Sequence, residues 1–265
     1  MLTVILKACS IGQALPLATA KPAGFSAHLV RPPLPGAPCP PAALPFLPVG
    51  TDLLDGAGTA LLTVTGHVTL PARAGGHALE CPLLTARTDL PVGEIDLTPA
   101  KRGISLAWVT LSDKGSMGTR VDESGPIIEN MVRDELDVGY AQGFLLPDDG
   151  QRLRALLTTL ALREGYDLVI TTGGTGVGPR DVTPQATARV IDMELPGFAQ
   201  AMMAASLAKT PRAVISRAMA GAIGRSLVIN LPGSRKAVVE NLEAVLPAIG
   251  HTLEKLRGDP GDCGG

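Results

Sequence analysis

From residue 104 onward the apolar positions fall into two alternating rhythms. The runs ISLAWVT (104–110), YAQGFLL (140–146), YDLVITT (166–172), RAVISR (212–217) and SLVINL (226–231) are short and rich in β-branched residues, and they predict strands. Between them, GPIIENMVRDEL (125–136) predicts a helix. QRLRALLTTLALREG (151–165) predicts another, with Leu153, Leu156, Leu157 and Leu160 at helical spacing, and a long one is predicted from about 234 to 256. Strands alternating with helices predict an α/β domain with a mostly parallel sheet and right-handed crossovers. In such sheets ligands bind beyond the carboxyl ends of the strands, so the loops that follow the strands are where chemistry is expected.

The first 100 residues follow no such rhythm. Eight prolines fall between Arg31 and Pro48, a density that excludes regular helix and central strand and predicts a stiff connector. Its P-x-x-P spacing also matches ligands of SH3-type grooves. TALLTVTGHVTL (59–70) and HALECPLLTAR (77–87), separated by Gly75 and Gly76, predict short strands in a small β-rich unit. About 50 residues are marginal for an independent core. This part of the chain faintly resembles a fragment of a MOSC-type β-barrel, a module linked to molybdenum metabolism. In such a module Cys81 would be a candidate reactive thiol, although a lone strand cysteine is more often simply buried. The expected division is therefore 1–100, a Pro-rich and β-rich region, and 101–265, the α/β domain.

Composition narrows the function. With 45% hydrophobic residues and a net charge of −2, the chain has material for a core and no basic block for neutralising nucleic-acid phosphates. Seven aromatic residues are too few for a base-stacking platform, and no apolar run is long enough to span a membrane. Four cysteines without C-x-x-C pairs fit a reducing compartment. The apolar N-terminus mimics a secretory signal but lacks a basic start and is interrupted by Lys7, so the expected location is cytoplasmic.

Each loop after a strand carries polar candidates. TTGGTGVGPRDVTP (171–184) supplies Thr172, Gly173, Gly174, Thr175 and Gly176, whose backbone N–H groups suit an anion, followed by Arg180 and Asp181. It is neither a Walker A loop nor a dinucleotide fingerprint. The loop LSDKGSMGTRVDESGP (111–126) offers Ser112 and Asp113, while Asp122 or Ser124 reads as a helix cap. In LLPDDG (145–150), Asp149 reads as a cap. Asp148 has no such role and pairs in character with Asp181 as a candidate for metal or proton work. NLPGSRKA (230–237) places Asn230, Pro232, Gly233 and Ser234 at another strand end, and Ser216 with Arg217, at the end of the segment 212–217, could bind an anion or make an ordinary helix–sheet contact. Phe198, Met202, Met203 and Leu207 share helical spacing and read as core or subunit interface.

Taken in order, S-D at 112–113, D-x-S-G-P at 122–126, P-D at 147–148, T-G-G-T-G at 172–176, R-D-V-T-P at 180–184, E-x-P-G-F at 194–198, I-S-R at 215–217 and N-L-P-G-S at 230–234 resemble the MogA/MoaB family of molybdenum-cofactor biosynthesis proteins. The resemblance covers about 103–257 and leaves 1–100 untouched. It implies a three-layer α/β molybdopterin-binding domain, commonly trimeric. The implied activity is transfer of AMP from ATP, with Mg²⁺, to the terminal phosphate of molybdopterin, with release of pyrophosphate. Carried over motif by motif, Asp148 and Asp181 become the expected catalytic and metal-holding acids. Thr172, Gly173, Gly174, Thr175, Gly176 and Arg180 become the phosphate or pterin binders, with Ser112, Asp113, Ser216, Asn230, Pro232, Gly233 and Ser234 around the substrates. Partners implied are ATP, molybdopterin and a downstream molybdenum-insertion protein. The alternative is a non-catalytic molybdopterin carrier or scaffold of the same fold.

Overall fold

The computed structural model describes residues 1–19, 26–30, 44–71 and 78–260. Most of the proline-rich stretch, together with Gly75 and Gly76, lies outside the described residues. The chain forms two compact units, Met1–Arg102 and Gly103–Gly265. Among the described residues no helix is long and apolar enough to cross a membrane.

The first unit is a closed barrel. Its strands are β1 (Leu2–Leu6), β2 (Ala14–Ala18), β3 (His28–Val30), β4 (Thr51–Leu54), β5 (Ala60–Leu70), β6 (Leu79–Ala86) and β7 (Gly93–Lys101), in the order β1-β3-β2-β6-β5-β4-β7. Antiparallel pairing of β1 with β7, from Leu2↔Leu97 to Leu6↔Gly93, closes the ring. The apolar start that mimics a secretory signal is thus a barrel strand. Val4 and Leu6 are buried and Ile5 between them is 38% exposed, the period-2 pattern of a strand with one buried face. Strands from the first 30 residues complete the unit and remove its open edges. Leu17, Leu53, Leu62, Val64, Leu84 and Leu97 fill it without solvent exposure. Cys81 is buried here. Burial, then the nearby Glu80 carboxylate, push its thiol up, so the nucleophilic thiolate is disfavoured.

The second unit contains β8 (Ile104–Leu111), α1 (Asp113–Ser116), α2 (Ser124–Glu135), β9 (Val138–Leu146), α3 (Gly150–Thr158), β10 (Leu168–Thr172), α4 (Thr183–Thr187), β11 (Met193–Glu194), α5 (Pro196–Leu207), β12 (Ala220–Ile223), β13 (Ser226–Leu231) and α6 (Arg235–Leu256). Its six-stranded sheet runs β11-β12-β13-β10-β8-β9. The expectation of a mostly parallel sheet needs correction. β13, β10, β8 and β9 are parallel neighbours, but β12 and β11 add antiparallel pairings at the other edge. A second correction concerns 212–217. Read as a strand, this segment holds a 3₁₀ turn, Pro211–Ile215, whose residues are not buried. Its alternation has no sheet edge to pair with.

Successive residues of the central strands face opposite sides. Leu106, Leu168, Ile170, Leu227 and Ile229 pack with Ile128 and Val132 of α2, Met202 of α5, and Val238, Leu242 and Ile249 of α6. On the other face Ser226 donates to the Ala161 and Tyr166 carbonyls, which ties the turn after α3 to the sheet. Of the four leucines at helical spacing, Leu153, Leu157 and Leu160 are buried and Leu156 is only partly buried. Met202 is core, while Met203 is only partly buried.

A chain beginning at Gly103 is expected to be soluble and to melt cooperatively, because the apolar cluster of this unit is built from its own residues. A cut at residue 97 would instead leave part of β7 without its barrel partners. Insolubility, or a melt without a transition, would count against an independent α/β domain.

Candidate functional site

The carboxyl ends of β8, β10 and β13 converge on one glycine. Gly173 follows Thr172 with φ +99° and Gly174 follows with φ +66°, a backbone that L side chains rarely adopt. A Cβ on Gly173 would stand 2.5 Å from the Leu111 carbonyl oxygen at the end of β8, and one on Gly233 would stand 3.1 Å from Gly173 Cα. The loop is then stitched. Thr172 Oγ1 donates to the Pro232 carbonyl (2.8 Å), Gly173 N–H to Leu231 O (3.3 Å) and Thr183 Oγ1 to Gly173 O (2.8 Å). Close packing of three strand ends explains why this sequence needs glycine at 173 and 233, and the positive φ with Thr183 Oγ1 2.5 Å from a would-be Cβ explains Gly174.

Arg217 holds the far part of the loop. Its Nε donates to Gly176 O and its Nη2 to Asp181 O, both at 2.7 Å. Its backbone N–H donates to Thr175 O. Sequence reasoning weighed Arg217 as an anion ligand, and two of its guanidinium nitrogens are committed to fixing the loop. Ser216 beside it accepts a 3.4 Å bond from Ala218 N–H and lines neither of the cavities described below. Thr175 is buried. Asp181 Oδ2 accepts from Gly178 N–H at 2.7 Å, which folds the acid back along its own loop.

Two other loops meet beside this one. Asp148 N–H donates to Asp113 Oδ1 (3.0 Å), Asp113 N–H donates to Asp148 Oδ2 (3.4 Å), and Arg180 Nη2 reaches both oxygens of Asp113 (2.7 and 2.6 Å). The consequences for the two acids are opposite. The Asp148 N–H, then Arg180, hold Asp113 below the usual carboxylate range. Burial pushes Asp148 up, and the Asp113 and Asp181 carboxylates add to the push against the pull of the Asp113 N–H and Arg180. The Asp181 carboxylate thus acts on Asp148 from a loop far away in sequence.

The caps are where the sequence predicts them. Asp149 accepts from the Gln151 and Arg152 N–H groups at the start of α3, and Ser234 from Ala237 N–H at the start of α6. Asp122 accepts from Ser124 and Gly125 N–H and also from Thr110 Oγ1. Ser112 accepts from Gly115 N–H. Asn230 is fully buried beneath the loop. Its Nδ2 donates to Thr171 Oγ1, and its Oδ1 has no partner among the described residues.

Two concavities flank the loop. A notch of about 70 Å³ is lined by Ser112, Asp122, Thr172, Gly173 and Gly233, among others. One water needs roughly 10–15 Å³ of such space, so the notch has room for a phosphate-sized group. A second cavity of about 670 Å³ is lined by Val177, Gly178 and Asp181 of the loop together with residues of α3 and α4. Sequence reasoning did not single out its wall residues Arg154 and Arg189. Arg154 falls in a predicted helix and Arg189 in a stretch with no predicted element, and nothing local marks either as part of a cavity wall. Among the described residues no three His, Cys, Asp or Glu side chains form a metal-holding group.

Residues 107–251 match the family described as "Probable molybdopterin binding domain". The chain is 37% identical over 160 residues to the molybdopterin adenylyltransferase of Helicobacter pylori, covering 59% of this chain and 89% of that protein. It is 37% identical over 161 residues to gephyrin of Dictyostelium discoideum, 57% of this chain but only 22% of gephyrin. Among solved structures, the molybdopterin biosynthesis enzyme MoaB of Thermus thermophilus aligns with a TM-score of 0.55 at 42% identity, over 60% of this chain and 99% of that one.

Proposed function

This chain belongs to the MogA/MoaB family of molybdopterin-binding domains, and from that premise we propose that it is a molybdopterin adenylyltransferase of molybdenum-cofactor biosynthesis. One observation carries the reading. Three strand-end loops bring Asp113, Asp148, Arg180 and Asp181 together beside a glycine loop whose backbone lines a phosphate-sized notch. The nucleophile is the terminal phosphate of molybdopterin, largely dianionic near neutral pH, so no base is needed to create it. Its oxygen forms a bond to the α-phosphorus of ATP. The bond from that phosphorus to the bridging oxygen breaks, and the electron pair leaves with pyrophosphate. The protein's task is to hold two anions within reach of each other and to neutralise them.

In this reading Thr172 and Gly173 line the phosphate notch with Ser112 and Gly233, and Gly174, Thr175 and Gly176 continue the loop behind them. Pro232, Ser234 and Asn230 support it from β13 and the start of α6. Arg180 keeps Asp113 and its loop in place and faces the substrate phosphates. Asp148 and Asp181 would hold Mg²⁺, which takes one or two carboxylates plus substrate phosphates and water rather than an all-protein cage. Burial pushes Asp148 up, the Asp113 and Asp181 carboxylates add to the push, and a cation bound there would offset both. Bound Mg²⁺ would supply charge neutralisation on the nucleotide phosphates.

Incubation of the full chain with molybdopterin, ATP and Mg²⁺ tests the reading. Adenylylated pterin and pyrophosphate are expected in equal amounts. Tight pterin binding without either product would instead establish a carrier or scaffold. The structural bonds that Asp113 and Asp181 already make, to Arg180 and Gly178, are what such a binder would retain.

The reading extends to a cytoplasmic homotrimer that passes its product to a molybdenum-insertion protein. Leu207, Val214 and Ile215, on α5 and just after it, are 45%, 69% and 53% exposed and offer apolar surface for self-association. Sedimentation at micromolar concentration is expected to give a trimer, and a monomer there would contradict this part.

A further inference from the structure

The cavity of about 670 Å³ beside Asp181 lies within the roughly 300–1,000 Å³ span of small-molecule sites. Its wall carries three guanidinium groups, those of Arg154 on α3, Arg189 just after α4, and Arg217. Arg217 is fixed by its bonds to Gly176 O and Asp181 O. Arg154 is half-buried and Arg189 exposed, and among the described residues neither has a hydrogen-bond or ion-pair partner. The two acids in the same wall already accept backbone N–H groups, Asp149 from Gln151 and Arg152 and Asp181 from Gly178. Three guanidinium groups against two carboxylates leave this wall net positive, and Arg154 and Arg189 are ion-paired with neither acid. The forked donors of arginine match the oxygens of a phosphate chain.

The geometry points to this cavity as the seat of the β- and γ-phosphates of the nucleotide, with Arg154 and Arg189 as their binding residues. This rests on the adenylyl-transfer reading above. The glycine loop connects the two compartments, because Thr172 and Gly173 line the notch and Val177, Gly178 and Asp181 line the cavity. A nucleotide with its polyphosphate among the arginines and its α-phosphorus near Asp148 and Asp181 meets a pterin phosphate held in the notch. When the bond between the α-phosphorus and the bridging oxygen breaks, the electron pair leaves on pyrophosphate. The charge then develops where the guanidinium groups already stand. The site accordingly demands a nucleoside triphosphate and gains little from a monophosphate.

Calorimetric titration of the full chain with pyrophosphate, ATP and AMP, each with Mg²⁺, tests the assignment in wild type, Arg154→Gln, Arg189→Gln and the double variant. Each single change is expected to weaken pyrophosphate and ATP by about tenfold, and the double change by about 10²-fold, the scale of charge-assisted hydrogen bonds. AMP and molybdopterin should move by less than about threefold, and Lys at both positions should restore part of the loss. Both side chains reach solvent, so the single variants are expected to melt as wild type does, and they carry the test if the double variant does not fold. Unchanged pyrophosphate affinity in folded variants of an enzyme that still turns over would remove the arginines from the site and leave the adenylyl-transfer reading standing. Unchanged affinity with altered sedimentation would reassign them to a subunit contact. A wild-type protein that binds molybdopterin but neither ATP nor pyrophosphate would overturn both readings.

Discussion

An Asp181→Asn variant is expected to lose 10²-fold or more in turnover, on the order of 3 kcal/mol of transition-state stabilisation, while its molybdopterin affinity changes far less. The structure makes the substitution a clean one. The amide keeps an oxygen to accept the Gly178 N–H that now bonds Oδ2 at 2.7 Å. Arg217 holds the backbone carbonyl of Asp181, which the substitution leaves in place. The loop should fold as before, and what disappears is one negative charge beside Asp148. A metal held between these acids and the substrate phosphates would lose a ligand just where charge must be neutralised during phosphoryl transfer. Product formation and pterin titration on the same preparation separate the two effects. Full turnover in the variant would remove Asp181 from the metal site.

Gly174→Val is expected to abolish ligand binding and to lower the melting temperature together. At φ +66° a branched side chain is strained by roughly 1–3 kcal/mol. Its Cβ would also stand 2.5 Å from Thr183 Oγ1, the hydroxyl that stitches the loop to Gly173 O. Gly174 thus serves the turn as well as any ligand, and a second variant separates the roles. Thr183→Val removes the stitch yet leaves every loop amide open, so it should lose stability while the folded protein still binds. Thr175→Ser adds no bulk and should bind as wild type. Melts and titrations of molybdopterin and ATP on the three proteins decide the matter. Unchanged affinity in folded Gly174→Val would take the loop out of the site.

Where the local pattern was strong, the elements were legible in the sequence. Val169, Ile170, Val228 and Ile229 sit in short β-branched runs and form β10 and β13. The spacing of Leu153, Leu157 and Leu160 marked the buried side of α3 and the turn after it. The misses have identifiable causes. β12 is Ala-Gly-Ala-Ile, which carries almost no strand propensity, and it pairs because Gly224, at φ +56°, turns the chain back from β13. The segment 212–217 alternates like a strand but starts at Pro211 and finds no partner. The barrel strands β1 and β2 lie in the first 20 residues, which resemble a secretory signal because a short apolar run such as Val4-Ile5-Leu6 looks alike whether its alternate positions are buried or not.

The sequence by itself determined which residues stand after which strand, because strand and helix periods are local properties of the chain. It thereby placed Asp113, Asp148, Asp181 and the glycine loop at strand ends, and Asp149 and Ser234 at helix starts. Only the tertiary structure decided which of these meet. The pairing of Asp113 with Asp148 spans 35 positions and that with Arg180 spans 67, and both depend on the sheet order β10-β8-β9, which no periodicity encodes. The same holds for Arg154 and Arg189. Each is an ordinary surface residue of its own segment, and they line one cavity because α3 packs beside α4. Charge that is unremarkable along the chain becomes a site when folding gathers it on the wall of one cavity.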